Sequence, residues 1–252
     1  MPERLAPERL AIVTGTSSGI GEALAASLLA DGWTVLGISR RSVSIQSTAY
    51  QHICFDLAEV DLISTDLEPR LVEVLRSRTW ATVALVNNAA VLGQLKNIDA
   101  LSAGATLTSL AVNTVAPIAL MGLVVRFCPP EAVLRIVNIS SGLASRPLAG
   151  CVDYCSGKAA LQMAGMVFAA ENTSSDIGVL SYAPGIVKTA MQDELRTQSK
   201  EDFPSSWIFK QFHNEGKLVP ANCVLQPIEA FLASKNPPAF SEARFEAPAK
   251  DS

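Results

Sequence analysis

Residue types that metal centres depend on are scarce in this chain. It contains 2 histidines, and its 5 cysteines are scattered without a Cys-x-x-Cys pair. Structural and catalytic zinc sites need such ligands at close spacing, so we expect no metal site. An odd, scattered set of thiols also argues against a disulfide framework. It favours a reducing compartment, and we expect a cytoplasmic protein.

Basic blocks are equally lacking, and we expect no uncharged apolar run long enough to span a bilayer. The 20 basic residues are balanced by 24 acidic ones, with no basic stretch interleaved with aromatics, so we expect no nucleic-acid partner. The first residues are charged and contain proline, unlike a signal peptide, and we expect no membrane span. A chain of 252 residues can bury a large core, and we expect one domain over residues 1–252.

What the chain does have is a regular alternation of strand-like apolar runs with helix-period stretches. The expected strands are 10–14, 33–38, 51–55, 81–86, 133–139, 177–182 and 240–245. The expected helices are 19–30, 61–78 with a possible break at Pro69, 103–127, 152–172, 205–216 and 220–233. Such alternation predicts an α/β fold: a doubly wound, mostly parallel sheet with helices on both faces. Ligands then bind at the carboxyl ends of the strands, where the long segment 185–216 is a candidate substrate lid.

A tyrosine and a lysine lie one helical turn apart in the expected helix 152–172. Tyr154 and Lys158 would share a face, and a nearby ammonium lowers the pKa of a phenol, which suits acid–base chemistry. Ser141 lies thirteen residues before Tyr154 at the end of a strand, from where its hydroxyl could reach the same substrate oxygen. The alternative is an ordinary tyrosine and lysine on an amphipathic helix.

A glycine-rich turn follows the first expected strand. Gly15, Gly19 and Gly21 stand between that strand and a helix. Glycines there allow the backbone to approach a pyrophosphate, and the helix directs free amides toward the anion. An ordinary strand–turn–helix with glycines is the alternative reading.

These motifs, with Asn87-Asn88-Ala89-Ala90, Asn113 and Pro184-Gly185, occur in the order typical of one family. The chain resembles the short-chain dehydrogenase/reductase family over nearly its whole length. Within that family, Val13–Gly19, Ile38-Ser39-Arg40-Arg41 and Gly216-Lys217-Leu218-Val219 are most similar to the benzil and sepiapterin reductases. The resemblance implies a Rossmann-type fold that binds a nicotinamide dinucleotide.

The end of the second strand indicates which dinucleotide. An acid there would bind a ribose hydroxyl and repel a 2′-phosphate, but the chain has Ser39-Arg40-Arg41. Arg40 can pair with a phosphate, so we expect NADP(H). A solvated basic turn is the alternative reading, above all for Arg41. The cofactor residues that follow from the turn, this strand end and the resemblance are Gly15, Thr16, Ser18, Gly19, Ile20, Ser39, Arg40, Asp56, Leu57, Asn88, Ala89, Tyr154, Lys158, Pro184, Gly185, Val187 and Thr189.

Three of these cofactor assignments rest on the resemblance. It implies that Asp56 accepts a hydrogen bond from the adenine amino group, although Asp56 could be a plain loop residue. It implies that the Val187 backbone holds the nicotinamide carboxamide. Thr189 would contact the carboxamide or a phosphate, and a helix N-cap is the alternative or additional role.

The implied reaction is hydride transfer to a carbonyl carbon. Tyr154 would protonate the oxygen, Ser141 would hydrogen-bond it, and Lys158 would lower the pKa of Tyr154 and hold the nicotinamide ribose. Asn113 would support a water-linked proton path to Lys158, or be a satisfied polar residue of a helix. Gly157 departs from the family, which usually has serine there, and could weaken a cofactor contact or loosen the helix.

The substrate is expected to be small and hydrophobic. Segments 91–95, 142–151 and 190–212 would form its walls, with Leu92, Leu143, Leu148, Met191, Trp207 and Phe209 making them apolar. This suggests a hydrophobic or aromatic ketone or diketone. A catalytically silent, dinucleotide-binding regulatory protein is the alternative, disfavoured because serine, tyrosine and lysine are all present. The expected helices 103–127 and 152–172 are apolar on more than one face, so we expect a homodimer or homotetramer.

Overall fold

The computed structural model describes residues 8–246, and its strands form one parallel sheet of 7 strands. The strands are β1 Arg9–Thr14, β2 Thr34–Ser39, β3 Tyr50–Cys54, β4 Thr82–Asn87, β5 Val133–Ile139, β6 Ile177–Ala183 and β7 Phe240–Arg244. Their order in the sheet is β3-β2-β1-β4-β5-β6-β7. The strand order therefore reverses between β1 and β4, where doubly wound sheets open a crevice for ligands. The α/β fold predicted from the alternation is confirmed.

Helices cover both faces of this sheet. They are α1 Gly19–Ala30, α2 Glu68–Arg76, α3 Ala103–Leu110, α4 Ala116–Phe127, α5 Val152–Glu171, α6 Ala190–Thr197, α7 Ser206–Asn214 and α8 Gln226–Ala233. Buried side chains of α1 and α8, such as Leu24 and Ile228, pack on one face. Those of α2, α4 and α5, such as Leu71, Leu120 and Phe168, pack on the other. Because the sheet is buried on both faces, its central strands are apolar without alternation.

The second expected helix differs from its prediction. Residues 61–78 do not form one helix. Val60–Leu62 is a 3₁₀ turn, Ile63–Leu67 a π turn, and the regular helix α2 begins at Glu68. Pro69 therefore lies in the first turn of α2, where its missing N–H is not needed. The proline begins a helix here rather than breaking one.

The long expected helix 103–127 is also divided. Ala111–Val115 forms a π turn between α3 and α4, and Pro117 lies in the first turn of α4. Pro117 has no N–H to donate to the carbonyl of Asn113, its partner four residues earlier in a regular α-helix. Turns of this kind are frequent at functional sites. The irregular backbone at Asn113 thus follows from the proline.

The helical stretch Ala103–Phe127 corrects the expectation that no segment could span a membrane. By length and composition it is apolar enough, with a mean hydropathy of 1.8 over its most apolar window. In this fold, however, 56% of that window is buried, and side chains such as Leu120 and Val124 pack into the core beside the sheet. The apolar character of the segment therefore has a structural explanation within the protein.

The segment after β6 contains more regular structure than a loop. Helices α6 and α7 occupy much of 185–216, although sequence periodicity predicted only the second of them. Its short helix α6 carries exposed polar residues on most of its surface, which weakens the apolar pattern. This helical pair packs beside the start of α5, since its apolar residues cluster with Cys151 and Tyr154.

Candidate active site

The glycine-rich turn after β1 is closed by backbone contacts that only glycine permits. Gly15 and Gly19 have φ of 76° and 63°, in the region that favours glycine. A Cβ on Gly21 would lie 2.4 Å from the Gly15 carbonyl oxygen. Ser18 lies at the N-cap position of α1 in extended conformation and makes no side-chain cap bond. The turn therefore directs the amides of the first turn of α1 toward the crevice and fits a pyrophosphate.

The carboxyl ends of β1 and β4 are fastened together beside this turn. The Thr14 hydroxyl accepts hydrogen bonds from the backbone N–H groups of Asn88 and Ala89, both at 2.9 Å. The Asn88 side-chain amide donates to the Thr14 carbonyl at 2.8 Å. These bonds fix the position of the predicted cofactor residues Asn88 and Ala89 against the glycine-rich turn. Thr14 is a positioning residue that the sequence reasoning did not select.

The end of β2 places both arginines near the expected adenosine side. The Arg41 guanidinium donates to the hydroxyls of Ser17 and Ser18, at 3.3 and 3.2 Å. Arg41 is exposed, as in the alternative reading of a solvated basic turn, and its guanidinium lies across the glycine-rich turn. The reason is that β1 and β2 pair in parallel, so the segments that follow them lie side by side.

Arg40 and Asp56 face each other at the ends of β2 and β3. The Arg40 guanidinium lies 3.7 Å from the Asp56 carboxylate, which also accepts from the Ala58 N–H at 3.0 Å. The Ser39 hydroxyl donates to the Arg41 carbonyl at 2.8 Å and thereby shapes the turn that holds both arginines.

The tyrosine and the lysine occupy successive turns of α5, as the spacing predicted. Lys158 is 1% exposed, and its Nζ donates to the Ile139 carbonyl at the end of β5 over 2.7 Å. The same Nζ lies 5.7 Å from the centroid of the Tyr154 ring. Ser141 follows β5, and its hydroxyl accepts from the Leu143 N–H at 3.1 Å. The three side chains therefore come together at one strand end.

Burial is the largest influence on the pKa values of Tyr154 and Lys158. It raises the pKa of Tyr154 to about 12, against a smaller lowering by the Ser141 hydroxyl. Burial also lowers the pKa of Lys158 to about 8. The net lowering of the Tyr154 pKa expected from Lys158 is therefore not found, because burial raises this pKa by more. Desolvation disfavours both charged forms, and Nζ is directed at a carbonyl rather than at the phenol oxygen.

Asn113 is fully buried in the π turn and held from both sides. Its side chain accepts from the Val91 N–H at 2.9 Å and donates to the Val91 carbonyl at 2.8 Å. A Cβ on Gly157 would lie 2.9 Å from the Asn113 Cβ. The glycine that replaces the usual family serine thus permits the close approach of α5 to the π turn. The expectation that this departure loosens the helix has no support here.

The residues expected to contact the nicotinamide follow β6. Gly185 turns the chain with a φ of 76°, next to Pro184. Val187 then forms an isolated bridge with Val219, which uses the Ile186 carbonyl and the Lys188 N–H. In such pairing the peptide groups of Val187 itself point away from Val219.

Thr189 lies at the N-cap position of α6, although its side chain makes no cap bond. Its hydroxyl donates to the Val187 carbonyl at 3.4 Å. Its methyl group would lie 3.2 Å from a Cβ on Gly19. Thr189 is therefore placed across the crevice from the glycine-rich turn.

An apolar cluster surrounds the phenol side of the site. Buried residues of the cluster are Leu92, Leu95, Cys151, Leu195, Phe203 and Phe209, and partly buried ones include Leu148, Met191 and Tyr154. Four predicted wall residues, Leu92, Leu148, Met191 and Phe209, therefore lie together. Trp207 does not, because it is 56% exposed on the outer side of α7. Leu143 is only partly buried and lies outside the cluster.

Three further predicted cofactor residues, Thr16, Ile20 and Leu57, have side chains that pack against other parts of the protein. Thr16 is fully buried, and its hydroxyl shares a 3.1 Å hydrogen bond with Tyr50. Ile20 packs on the α1 face of the sheet, and Leu57 is buried in the core. Over residues 8–246, no group of three or more His, Cys, Asp or Glu side chains is arranged to hold a metal ion.

Comparison with known proteins agrees with this geometry. The model of the short chain dehydrogenase family matches residues 9–200. The chain belongs to the short-chain dehydrogenase family. Members of this family are oxidoreductases that bind a nicotinamide dinucleotide, and the glycine-rich turn and its strand ends fit such a cofactor.

Two curated short-chain dehydrogenases are similar over most of the chain. "Benzil reductase ((S)-benzoin forming)" of Bacillus cereus is 30% identical over 240 residues, covering 91% of this chain and 96% of the relative. Sepiapterin reductase of Rattus norvegicus is 32% identical over 239 residues, covering 88% and 90%. Both relatives are reductases, and the predicted likeness to these two groups is confirmed.

A solved structure supports the fold. A 4-hydroxyisoleucine dehydrogenase in complex with NADH superposes with a TM-score of 0.78, covering 95% of this chain and 97% of that one. At 18% identity the likeness shows the fold alone.

Proposed function

We propose that this protein is an NADPH-dependent carbonyl reductase that acts on hydrophobic or aromatic ketones or diketones. The observation that carries the proposal is the meeting of Ser141, Tyr154 and buried Lys158 at the carboxyl end of β5. An apolar cluster adjoins the phenol, which suits a hydrophobic carbonyl substrate. The names of the two reductase relatives agree with this substrate class.

The dinucleotide, when bound, supplies the hydride, and the protein supplies the proton. Because burial raises the pKa of Tyr154 to about 12, the phenol is protonated at neutral pH and ready to donate from Oη. Ser141 hydrogen-bonds the same substrate oxygen and stabilises the developing negative charge. The Lys158 ammonium lies near enough to stabilise the phenolate that remains after proton transfer. Asn113, whose carbonyl lacks its α-helical donor, supports the water-linked path that returns a proton.

The test is turnover of benzil, an aromatic diketone, with NADPH, followed by NADPH absorbance. Tyr154→Phe should lower kcat/KM by about 10² or more and leave NADPH affinity unchanged. Tyr182→Phe is the matched control, because Tyr182 is buried and donates to the Val224 carbonyl at 2.8 Å on the α8 side. NADPH binding without turnover across a panel of ketones would instead favour the silent regulatory protein.

The preference for NADPH rests on charge at the end of β2. No acid follows Ile38 there, and two guanidinium groups lie within reach of the adenosine side of the crevice. Arg41 and the Ser17 and Ser18 hydroxyls form a cluster of hydrogen-bond donors, and Arg40 can leave its half-exposed partner Asp56 for a phosphate. Arg40→Asp and Arg41→Ala should each raise the NADPH Michaelis constant far more than the NADH one. Equal effects on both cofactors would remove that arginine from the phosphate site.

We further propose that the protein forms a homodimer or homotetramer through α4 and α5. Val115, beside α4, Ile118 on α4, and Met163, Met166 and Val167 on α5 are apolar and 42–58% exposed. These exposed side chains lie on or beside neighbouring helices and form an apolar surface that can pack against a second copy of the chain. Sedimentation should show an oligomer that Met163→Lys dissociates. Leu62→Lys, at an apolar residue that is 47% exposed away from α4 and α5, should not dissociate it. A monomeric wild type at micromolar concentration would contradict this.

A cytoplasmic location is also proposed. All 5 cysteines of the chain are free thiols, as expected in a reducing compartment. Cys151 and Cys155 lie on either side of Tyr154 but pack within the apolar cluster, and burial raises the pKa of Cys151 to about 12. Cys151 is therefore an unreactive packing residue, and no redox pair is proposed.

A further inference from the structure

The residue immediately before Tyr154 is a fully buried carboxylate. Asp153 is 0% exposed, and no salt bridge to it exists among the described residues. An ionised carboxylate in such a place needs hydrogen-bond donors to replace water. Its Oδ1 accepts from the Thr106 hydroxyl at 2.8 Å, and its Oδ2 accepts from the Gln94 backbone N–H at 2.9 Å. Its position in the first turn of α5 is also favourable for a negative charge.

The donors come from segments far away in the chain. Gln94 lies on the loop after β4, and Thr106 on α3, so Asp153 joins both to the catalytic helix. The approach is close because of Gly93, which has a φ of 69° and whose Cβ would lie 2.5 Å from the Asp153 Cβ. A residue other than glycine at that position would push the loop away from α5.

Gln94 extends the same network to the start of α3. Its side-chain oxygen accepts from the Ser102 N–H at 2.9 Å, and its amide donates to the Ser102 carbonyl at 3.1 Å. At the other end of the loop, Asn113 holds both backbone groups of Val91. The loop 91–94 is thus fixed at one end by Asn113 and at the other by Asp153.

This loop carries one wall of the candidate substrate site. Leu92 lies within it and Leu95 directly follows it, and both pack in the cluster that contains Tyr154 and Cys151. A shift of the loop would change the space in front of the phenol. Among the described residues, the Asp153 carboxylate accepts hydrogen bonds only from Gln94 and Thr106. It has no direct bond to the glycine-rich turn or to the arginines at the end of β2, so a change at Asp153 should have little effect on the dinucleotide site.

We propose that Asp153 is a positioning residue for carbonyl reduction, which anchors the substrate wall 91–95 to the catalytic helix. The proposal rests on the proposed reductase function. Its role is to set the distance between Tyr154 and the bound carbonyl oxygen, and the residue itself touches neither substrate nor dinucleotide. The reacting groups are sensitive to small displacements of this kind.

The experiment compares Asp153→Leu and Asp153→Asn with wild type and with Asp61→Asn, an exposed control. Leucine removes every acceptor and keeps the branched shape and the number of side-chain heavy atoms, although its methyl groups are larger than the carboxylate oxygens. Asparagine keeps an acceptor for Gln94 but turns an amide toward Thr106, so it should have an intermediate effect. We expect kcat/KM for benzil to fall about 30-fold or more in the leucine variant, with an increased KM. NADPH affinity should stay close to that of the wild type, and hydrogen exchange at 91–95 should accelerate.

Thr106→Val provides a second variant if the leucine variant does not fold. It removes one bond to the carboxylate, and its effect on kcat/KM should be non-additive with that of Asp153→Asn. The proposal is overturned if kcat/KM is unchanged in the folded variants. It is also overturned if NADPH affinity falls in parallel with kcat/KM, as general destabilisation would produce. An inactive wild type would instead refute the proposed function, so the two failures are distinguishable.

Discussion

Replacing Lys158 by methionine tests whether the buried ammonium destabilises the folded protein. Burial lowers the pKa of Lys158 from 10.5 to about 8. Between these values the unfolded chain binds a proton that the folded chain does not. Stability therefore rises with pH in this window, because the unfolded state holds more protons. Below the lower pKa both states are protonated, and the folded protein carries the full cost of the buried charge.

The magnitude follows from the two pKa values. Linkage gives wild-type stability a gain of about 2 kcal/mol between pH 7 and about 9.5 from this group alone. Lys158→Met has no such group, so its stability should lack that gain. The hydrogen bond to the Ile139 carbonyl is lost at every pH and contributes a nearly constant offset.

Urea denaturation of both proteins without dinucleotide, at several pH values up to about 9.5, measures the difference. The comparison cancels the titration of buried tyrosines and cysteines, which both proteins share. Lys200→Met is the control for an exposed lysine and should follow the wild-type curve. Parallel pH dependence of wild type and Lys158→Met would refute the reasoning.

Two further predictions concern glycines at close contacts. Gly157→Ser should displace Asn113, whose Cβ would lie 2.9 Å from the new Cβ. It should lower the free energy of unfolding measured in urea by about 1–3 kcal/mol and lower kcat/KM. Gly122→Ser is the control, because a Cβ there would meet nothing within 4 Å, and it should change neither quantity. Equal effects of the two substitutions would contradict the packing argument. Gly37→Ala would bring a Cβ within 2.1 Å of the Tyr50 hydroxyl, so the thermal unfolding temperature should fall. Adding Tyr50→Phe removes that hydroxyl and should restore part of the lost unfolding temperature. No recovery in the double variant would contradict this contact.

Local sequence signals were sufficient for most of the elements and for the grouping of the candidate catalytic side chains. Strand–helix alternation predicted the parallel sheet, because each crossover needs a helix. The four-residue spacing of Tyr154 and Lys158 predicted one helix face, since that geometry is a property of the helix itself. Irregular helices were harder. Pro69 indicated a disturbance and Pro117 was not recognised as one, because whether proline ends a helix or begins one depends on the packing around it.

The proton affinities could not be read from the spacing alone. A lysine one turn from a tyrosine suggests a lowered phenol pKa, yet burial outweighs that effect and raises it to about 12. Desolvation depends on how many atoms surround a group, and those atoms come from distant parts of the chain. The direction in which Nζ points, toward the Ile139 carbonyl, is likewise decided by the packing of α5 on β5.

By itself, the sequence determined the α/β architecture, the order of the motifs and the family, because these depend on periodicity and on residue types at short spacing. Only the tertiary structure decided that Arg41 crosses the glycine-rich turn and that Asp153 holds the loop at Gln94. Each of those contacts joins residues more than twenty positions apart. Parallel strand pairing and helix packing bring such residues together, and no local pattern in the chain records which of them will meet.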